Sequence, residues 1–145
     1  MEIKLKKVNE KAVVPTYGTS LAAGADLYAC IDEDVVINPN ETKIIKTGIA
    51  VAIPEGYAGL IYARSGLALK RNLAPANKVG VIDADYRGEL MVALHNHGTT
   101  PQTVEINERI AQLVITPFLK VEFDEVDSLD DTERAEGGFG STGTK

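Results

Sequence analysis

Ile49, Val51 and Ile53 lie two residues apart, as do Leu90, Val92 and Leu94, and Ala111, Leu113 and Ile115. Side chains two apart share one face of an extended chain, so each run reads as a strand with an apolar face. Turn sequences punctuate these runs at short intervals: Asn38-Pro-Asn, Pro54-Glu-Gly, Gly98-Thr-Thr-Pro and Asn107-Glu. Short strands separated by such turns have the rhythm of an antiparallel sandwich or barrel. No stretch carries the pattern of a long amphipathic helix. The best helical segment is Ser65-Gly-Leu-Ala-Leu-Lys-Arg71, at most a couple of turns, with Ser65 as the expected N-cap. The fold class is therefore all-β, with at most one short helix near residues 65–71.

At 145 residues the chain is long enough for one domain with a full apolar core. No apolar run approaches the roughly 20 residues of a membrane-spanning helix. The segment Met1-Glu-Ile-Lys-Leu-Lys-Lys7 lacks the apolar stretch of a secretory leader, so the expected compartment is cytoplasmic. One cysteine, Cys30, cannot close an internal disulfide and reads as a small buried apolar residue. The net charge of −6 argues against a chain that coats nucleic acid. The excess acid sits in residues 122–136, which hold eight acids and one base, Arg134. The remainder is near neutral, which leaves room for local binding of an anion by arginines and backbone N–H groups.

The expected division is a β domain over 1–131 and a flexible C-terminal tail over 132–145, rich in Gly, Ser and Thr and poor in apolar surface. Within the tail, Gly138-Phe-Gly-Ser-Thr-Gly143 matches G-x-G-x-x-G, and Thr144-Lys145 reverses the Lys-Thr order of a P-loop. Both motifs need a strand before and a helix after, and here the sequence ends two residues later. His95 and His97 share a face if 89–97 is a strand. With no further histidine and no cysteine beside them, they read as polar strand-end residues rather than a metal pair. Ala63-Arg64-Ser65-Gly66 places a guanidinium and a hydroxyl at a helix start, a geometry suited to phosphate oxygens. Asp83 follows the apolar run Val79 to Ile82, where partial desolvation would suit a carboxylate that deprotonates water; a plain turn into Arg87-Gly88 is the alternative.

Taken in order, five segments make a pattern: Ala23-Gly-Ala-Asp-Leu-Tyr-Ala29; Ala63-Arg-Ser-Gly-Leu-Ala68; Asn77 with Gly80-Val-Ile-Asp-Ala-Asp-Tyr-Arg-Gly-Glu89; Glu108-Arg-Ile-Ala-Gln-Leu113; and Arg134-Ala-Glu-Gly-Gly-Phe-Gly-Ser-Thr-Gly143. This order resembles the trimeric dUTP pyrophosphatase (dUTPase) family across roughly residues 10–143. The resemblance implies a jelly-roll-like subunit in a homotrimer, with active sites between subunits and the tail of one subunit closing over a site. It implies hydrolysis of dUTP to dUMP and pyrophosphate, with Mg2+ on the triphosphate, and no nucleic-acid or membrane partner.

By the same resemblance, Asp83 activates the water that attacks the α-phosphorus. Asn77 reads the uracil edge, the backbone wall near Val79 to Ile82, Val81 among them, excludes thymine, and Tyr86 lies under the deoxyribose. Arg64, Ser65, Gly66 and Gln112 hold phosphates. Asp26 supports the metal through water, with no direct protein ligand. Arg134 reaches the γ-phosphate, Phe139 stacks on uracil, and Gly140, Ser141 and Thr142 wrap the terminal phosphate. Two departures from the family pattern stand out: Asn107 and Ala135, each where glycine is usual. Ala135 would stiffen the tail, because alanine reaches positive φ less easily than glycine. A dCTP deaminase-like enzyme is one alternative, opposed by Ala93, where those enzymes carry a proton-relaying glutamate. A non-catalytic jelly-roll binding module is the other, opposed by the reactive residue types in all five segments.

Overall fold

The structure is a computed structural model that describes residues 1–143. Thr144 and Lys145, the reversed P-loop pair, lie outside the described residues. Twelve strands and one helix follow in the order β1 (Lys4–Lys7), β2 (Thr16–Tyr17), β3 (Ala25–Tyr28), β4 (Val35–Ile37), β5 (Thr42–Lys46), β6 (Ile49–Ala52), β7 (Tyr57–Tyr62), α1 (Ser65–Arg71), β8 (Leu73–Pro75), β9 (Gly80–Ile82), β10 (Met91–Asn96), β11 (Gln102–Val104) and β12 (Arg109–Pro117). The all-β expectation holds.

All pairings are antiparallel. The largest sheet has the order β2-β3-β12-β7-β9; smaller ones are β5-β10-β8, β1-β6 and β11-β4. Apolar side chains from all four sheets meet in one core, with Leu27, Ile37, Ile45, Ile49, Leu94 and Ile110 essentially inaccessible to water. Alternation is cleanest in β10, where Val92, Leu94 and Asn96 point inward and Met91 faces out. In β6 it breaks down, because Ala50 is buried between Ile49 and Val51. A strand enclosed on both sides loses its polar face.

The turns fall where the sequence places them, and their backbone shows why. Asn40, Asn107 and Gly56 all take positive φ, at 61°, 60° and 82°. Asparagine is the side chain that best tolerates this region after glycine, so Asn107 makes its turn without one. At Gly48 (φ 68°) an added Cβ would lie 2.8 Å from both Cys30 Sγ and Ala12 Cβ, so the turn and the close packing demand glycine together. Cys30 is buried as expected, and burial raises its thiol pKa.

Helix α1 corrects one detail. Arg64, not Ser65, occupies the N-cap position, with extended backbone and no side-chain cap; Ser65 is the first helical residue. Seven residues are too few for a helix stable by itself. It is held by Leu67, 6% exposed in the core, and closes at Asn72, whose left-handed backbone N–H bonds Leu67 O.

Candidate active site

Strand β12 lies between β3 and β7, so Gln112 stands opposite Asp26 on one side and Tyr62 on the other. Gln112 Nε2 donates to Ala63 O at 2.9 Å, tying β12 to the segment that leads into α1. Its amide lies directly over Gly24, where an added Cβ would come within 2.4 Å of Oε1. Asp26, 9% exposed, accepts from Arg64 Nε at 2.9 Å and from Arg109 Nη1 at 3.3 Å. Arg64 Nη1 also reaches Arg109 O at 3.4 Å. One carboxylate between two guanidiniums leaves a net positive cluster at the start of α1, and each guanidinium has five N–H donors. Such a cluster suits a polyanion.

Arg109 is the residue that sequence reasoning missed. It stands beside Glu108 in the fourth segment, and only the register shift of β12 between Arg109 and Ala111 brings it to Asp26. A bulge re-aims the side chains beside it, which no alternation pattern announces.

The third segment gathers elsewhere. Asn77 and Val81 border a cavity of about 230 Å³ with Ile44, Ile61, Met91 and Ala93. Asp83 and Tyr86 border a neighbouring one of about 170 Å³ with Val81, Ile82, Glu89 and Met91. Strand β9 ends at Ile82, so Asp83 and Asp85 belong to a turn, in which Tyr86 N–H donates to Asp83 O. Asp83 is exposed in the single chain, against the expected desolvation. Tyr86 Oη donates to Glu89 O at 3.0 Å and its ring covers Gly88.

The tail stands apart from both groups. No strand or helix follows Pro117 among the described residues, so residues 118–143 form an irregular, largely exposed segment that includes the expected boundary at 131. Arg134 Nε donates to Gly137 O at 2.8 Å, Phe139 is fully exposed, and Gly140, Ser141 and Thr142 lie in turns. Ala135 does take positive φ, at 44°. The structure thus unites Asp26, Arg64 and Gln112, with Ser65 and Gly66 exposed at the start of α1. Among the described residues, no side-chain hydrogen bond joins this group to Asn77, Asp83, Tyr86 or the tail. His95 and His97 make a ring contact at 4.5 Å, and His95 Nδ1 bonds Thr42 Oγ1. The described residues contain no group of three or more His, Cys, Asp or Glu arranged for a metal.

The dUTPase family model matches residues 10–143, across every segment described above. The chain belongs to the dUTPase family. Relatives named deoxyuridine 5'-triphosphate nucleotidohydrolase include one from Hydrogenobaculum sp., 50% identical with both chains covered in full. Another, from Syntrophotalea carbinolica, is 50% identical over 97% of this chain and 96% of its own. Among solved structures, the Staphylococcus bacteriophage 80alpha dUTPase with dUpNHpp superposes with a TM-score of 0.90 at 33% identity, covering 99% of each chain. This dUTPase is a hydrolase of nucleotide metabolism that converts dUTP to dUMP. The deaminase and non-catalytic readings fall away with that assignment.

Proposed function

We propose that the triphosphate of dUTP is held by the cluster of Arg64, Asp26 and Arg109 with Gln112 and the exposed N–H groups of Ser65 and Gly66. Asp83 then takes a proton from a water aligned with the α-phosphorus, and pyrophosphate leaves on the opposite side. The observation that carries this reading is the single carboxylate of Asp26 shared by two guanidiniums. It fixes both cations while leaving their sum positive, so part of the phosphate charge is offset before the nucleotide arrives. The cavity bordered by Asn77 and Val81 would take uracil, with the backbone of β9 as the wall that rejects a 5-methyl group, and Tyr86 would lie under the deoxyribose.

The family generally uses Mg2+. Both oxygens of Asp26 already accept from arginines, and no cluster of three protein ligands is present among the described residues. These residues fit an ion carried mainly by phosphate oxygens and water, with Asp26 supporting it through water. Bound there, Mg2+ supplies charge neutralisation of the phosphates.

A homotrimer belongs to the same proposal. Among the described residues of one chain, no side-chain hydrogen bond joins the phosphate cluster, the uracil cavity and the tail, and Asp83 stands open to water, so neighbouring subunits would have to complete the site. Ile44 (66% exposed), Val81 (62%) and Met91 (43%) crowd the cavity and support coverage by another subunit. The tail from 132 onward would then close over a site, with Arg134 on the γ-phosphate, Phe139 on uracil, and Gly140, Ser141 and Thr142 around the terminal phosphate. Cytoplasmic placement is supported by the unpaired, buried Cys30. Separating nucleotides after incubation with Mg2+ and dUTP, UTP, dTTP or dCTP tests selectivity; dUMP from dUTP alone is expected. Asp83→Asn tests the mechanism. Turnover should fall about 10²- to 10⁴-fold with binding of a non-hydrolysable dUTP analogue retained; unchanged turnover removes Asp83 from the reaction.

A further inference from the structure

Arg71 ends α1, seven residues beyond Arg64, and its side chain donates to three groups of the protein. Its Nε donates to Gln102 Oε1 at 3.2 Å, Nη1 donates to Glu108 Oε1, and Nη2 donates to Thr103 O. Both partners of the ion pair are largely shielded, with side-chain exposures of 30% for Arg71 and 18% for Glu108. Glu108 is itself anchored: Oε2 accepts from Glu105 N–H at 2.9 Å, and its backbone O accepts from Ala29 N–H at 2.8 Å. The next residue is Arg109, which grips Asp26 with its side chain and accepts from Arg64 with its carbonyl.

These bonds close a ring. From Arg64 the chain runs along α1 to Arg71, across the ion pair to Glu108, and on to Arg109, whose carbonyl returns to Arg64. A seven-residue helix has too little hydrogen bonding of its own to set the aim of its first residues. A forked guanidinium binding three separate groups at the far end holds the helix against rotation in a way a point charge does not. We propose that Arg71, paired with Glu108, is a positioning residue for the triphosphate: it fixes the spacing of Arg64 and Arg109 on either side of Asp26. The proposal rests on the reading that this cluster holds the phosphates.

The test uses the full-length protein with Arg71→Met and, in case that variant does not fold, the isosteric Glu108→Gln. Affinities for dUMP and for a non-hydrolysable dUTP analogue are measured with Mg2+, together with kcat, KM and Tm. Loss of alignment should weaken the analogue about tenfold and lower kcat about tenfold, while dUMP affinity changes less than twofold. Arg71→Lys should recover little, because it keeps the charge and loses the fork. If only Tm falls, with both affinities and turnover per folded site unchanged, Arg71 is a fold staple and the proposal is overturned. Arg64→Met separates the two failures: if it leaves analogue affinity intact, the phosphate reading itself is wrong.

Discussion

Gly88 carries no reactive group, yet it sets the room that the Tyr86 ring has. An added Cβ there would lie 2.4 Å from Tyr86 Oη and 2.5 Å from Cζ, so the ring must leave its place and its bond to Glu89 O. Gly88 is not among the positive-φ glycines, so alanine meets a steric obstacle and no backbone one. If Tyr86 lies under the deoxyribose as proposed, its ring would leave no room for a 2′-hydroxyl, and displacing it would open that space. Gly88→Ala is expected to reduce the preference for dUTP over UTP by about tenfold, measured as the ratio of kcat/KM values. An unchanged ratio would mean that Tyr86 does not set sugar selectivity. Sequence reasoning reached Tyr86 through the resemblance, whereas the role of Gly88 depends on a side chain folding back over a residue two positions on.

Among the elements, β10 depends on a buried polar side chain. Asn96 is inaccessible to water and fully engaged: Nδ2 donates to Ile37 O at 2.9 Å and Thr100 O at 2.8 Å, and Oδ1 accepts from Gly98 N–H at 2.8 Å. It joins the end of β10 to β4 and shapes the turn into β11. Asn96→Ala removes the side-chain partner of three backbone groups, the Ile37 carbonyl in a buried bond, and should destabilise the fold by about 3 kcal/mol in denaturant unfolding. A cost below about 1 kcal/mol would show that water replaces the amide. The alternation of β10 was legible because its inward residues are mostly apolar. Asn96 sits at an inward position, which is why the 89–97 pattern alone assigned it no role. The bulge in β12 was illegible for the complementary reason: Ile110 and Ala111 are adjacent and both buried, and alternation has no place for that pair.

At the scale of the molecule, the proposed trimer takes Asp83 and Arg64 at one site from different subunits. Chains carrying Asp83→Asn and chains carrying Arg64→Met would each be inactive alone. Refolded together in equal amounts, they should regain activity at about a quarter of the sites, since each site draws both groups at random. Activity that stays at the level of the single variants would place both groups in one chain. Light scattering on the mixture confirms that assembly has occurred. The tail belongs to this scale too, because Phe139 is fully exposed among the described residues of its own chain.

Alternation and turn chemistry in the sequence were enough to determine an all-β chain, the positions of its turns and one short helix, because strand periodicity and positive-φ preference are local properties. The ordered segments carried the family and the reactive residue types. Tertiary structure alone decided that Arg109 joins Arg64 on Asp26, that Arg71 closes a ring behind them, and that Arg64 rather than Ser65 caps α1. Each of these depends on strand register or on contacts between residues far apart in the chain. No local pattern encodes them, since a side chain's partner is set by where the sheet brings its backbone.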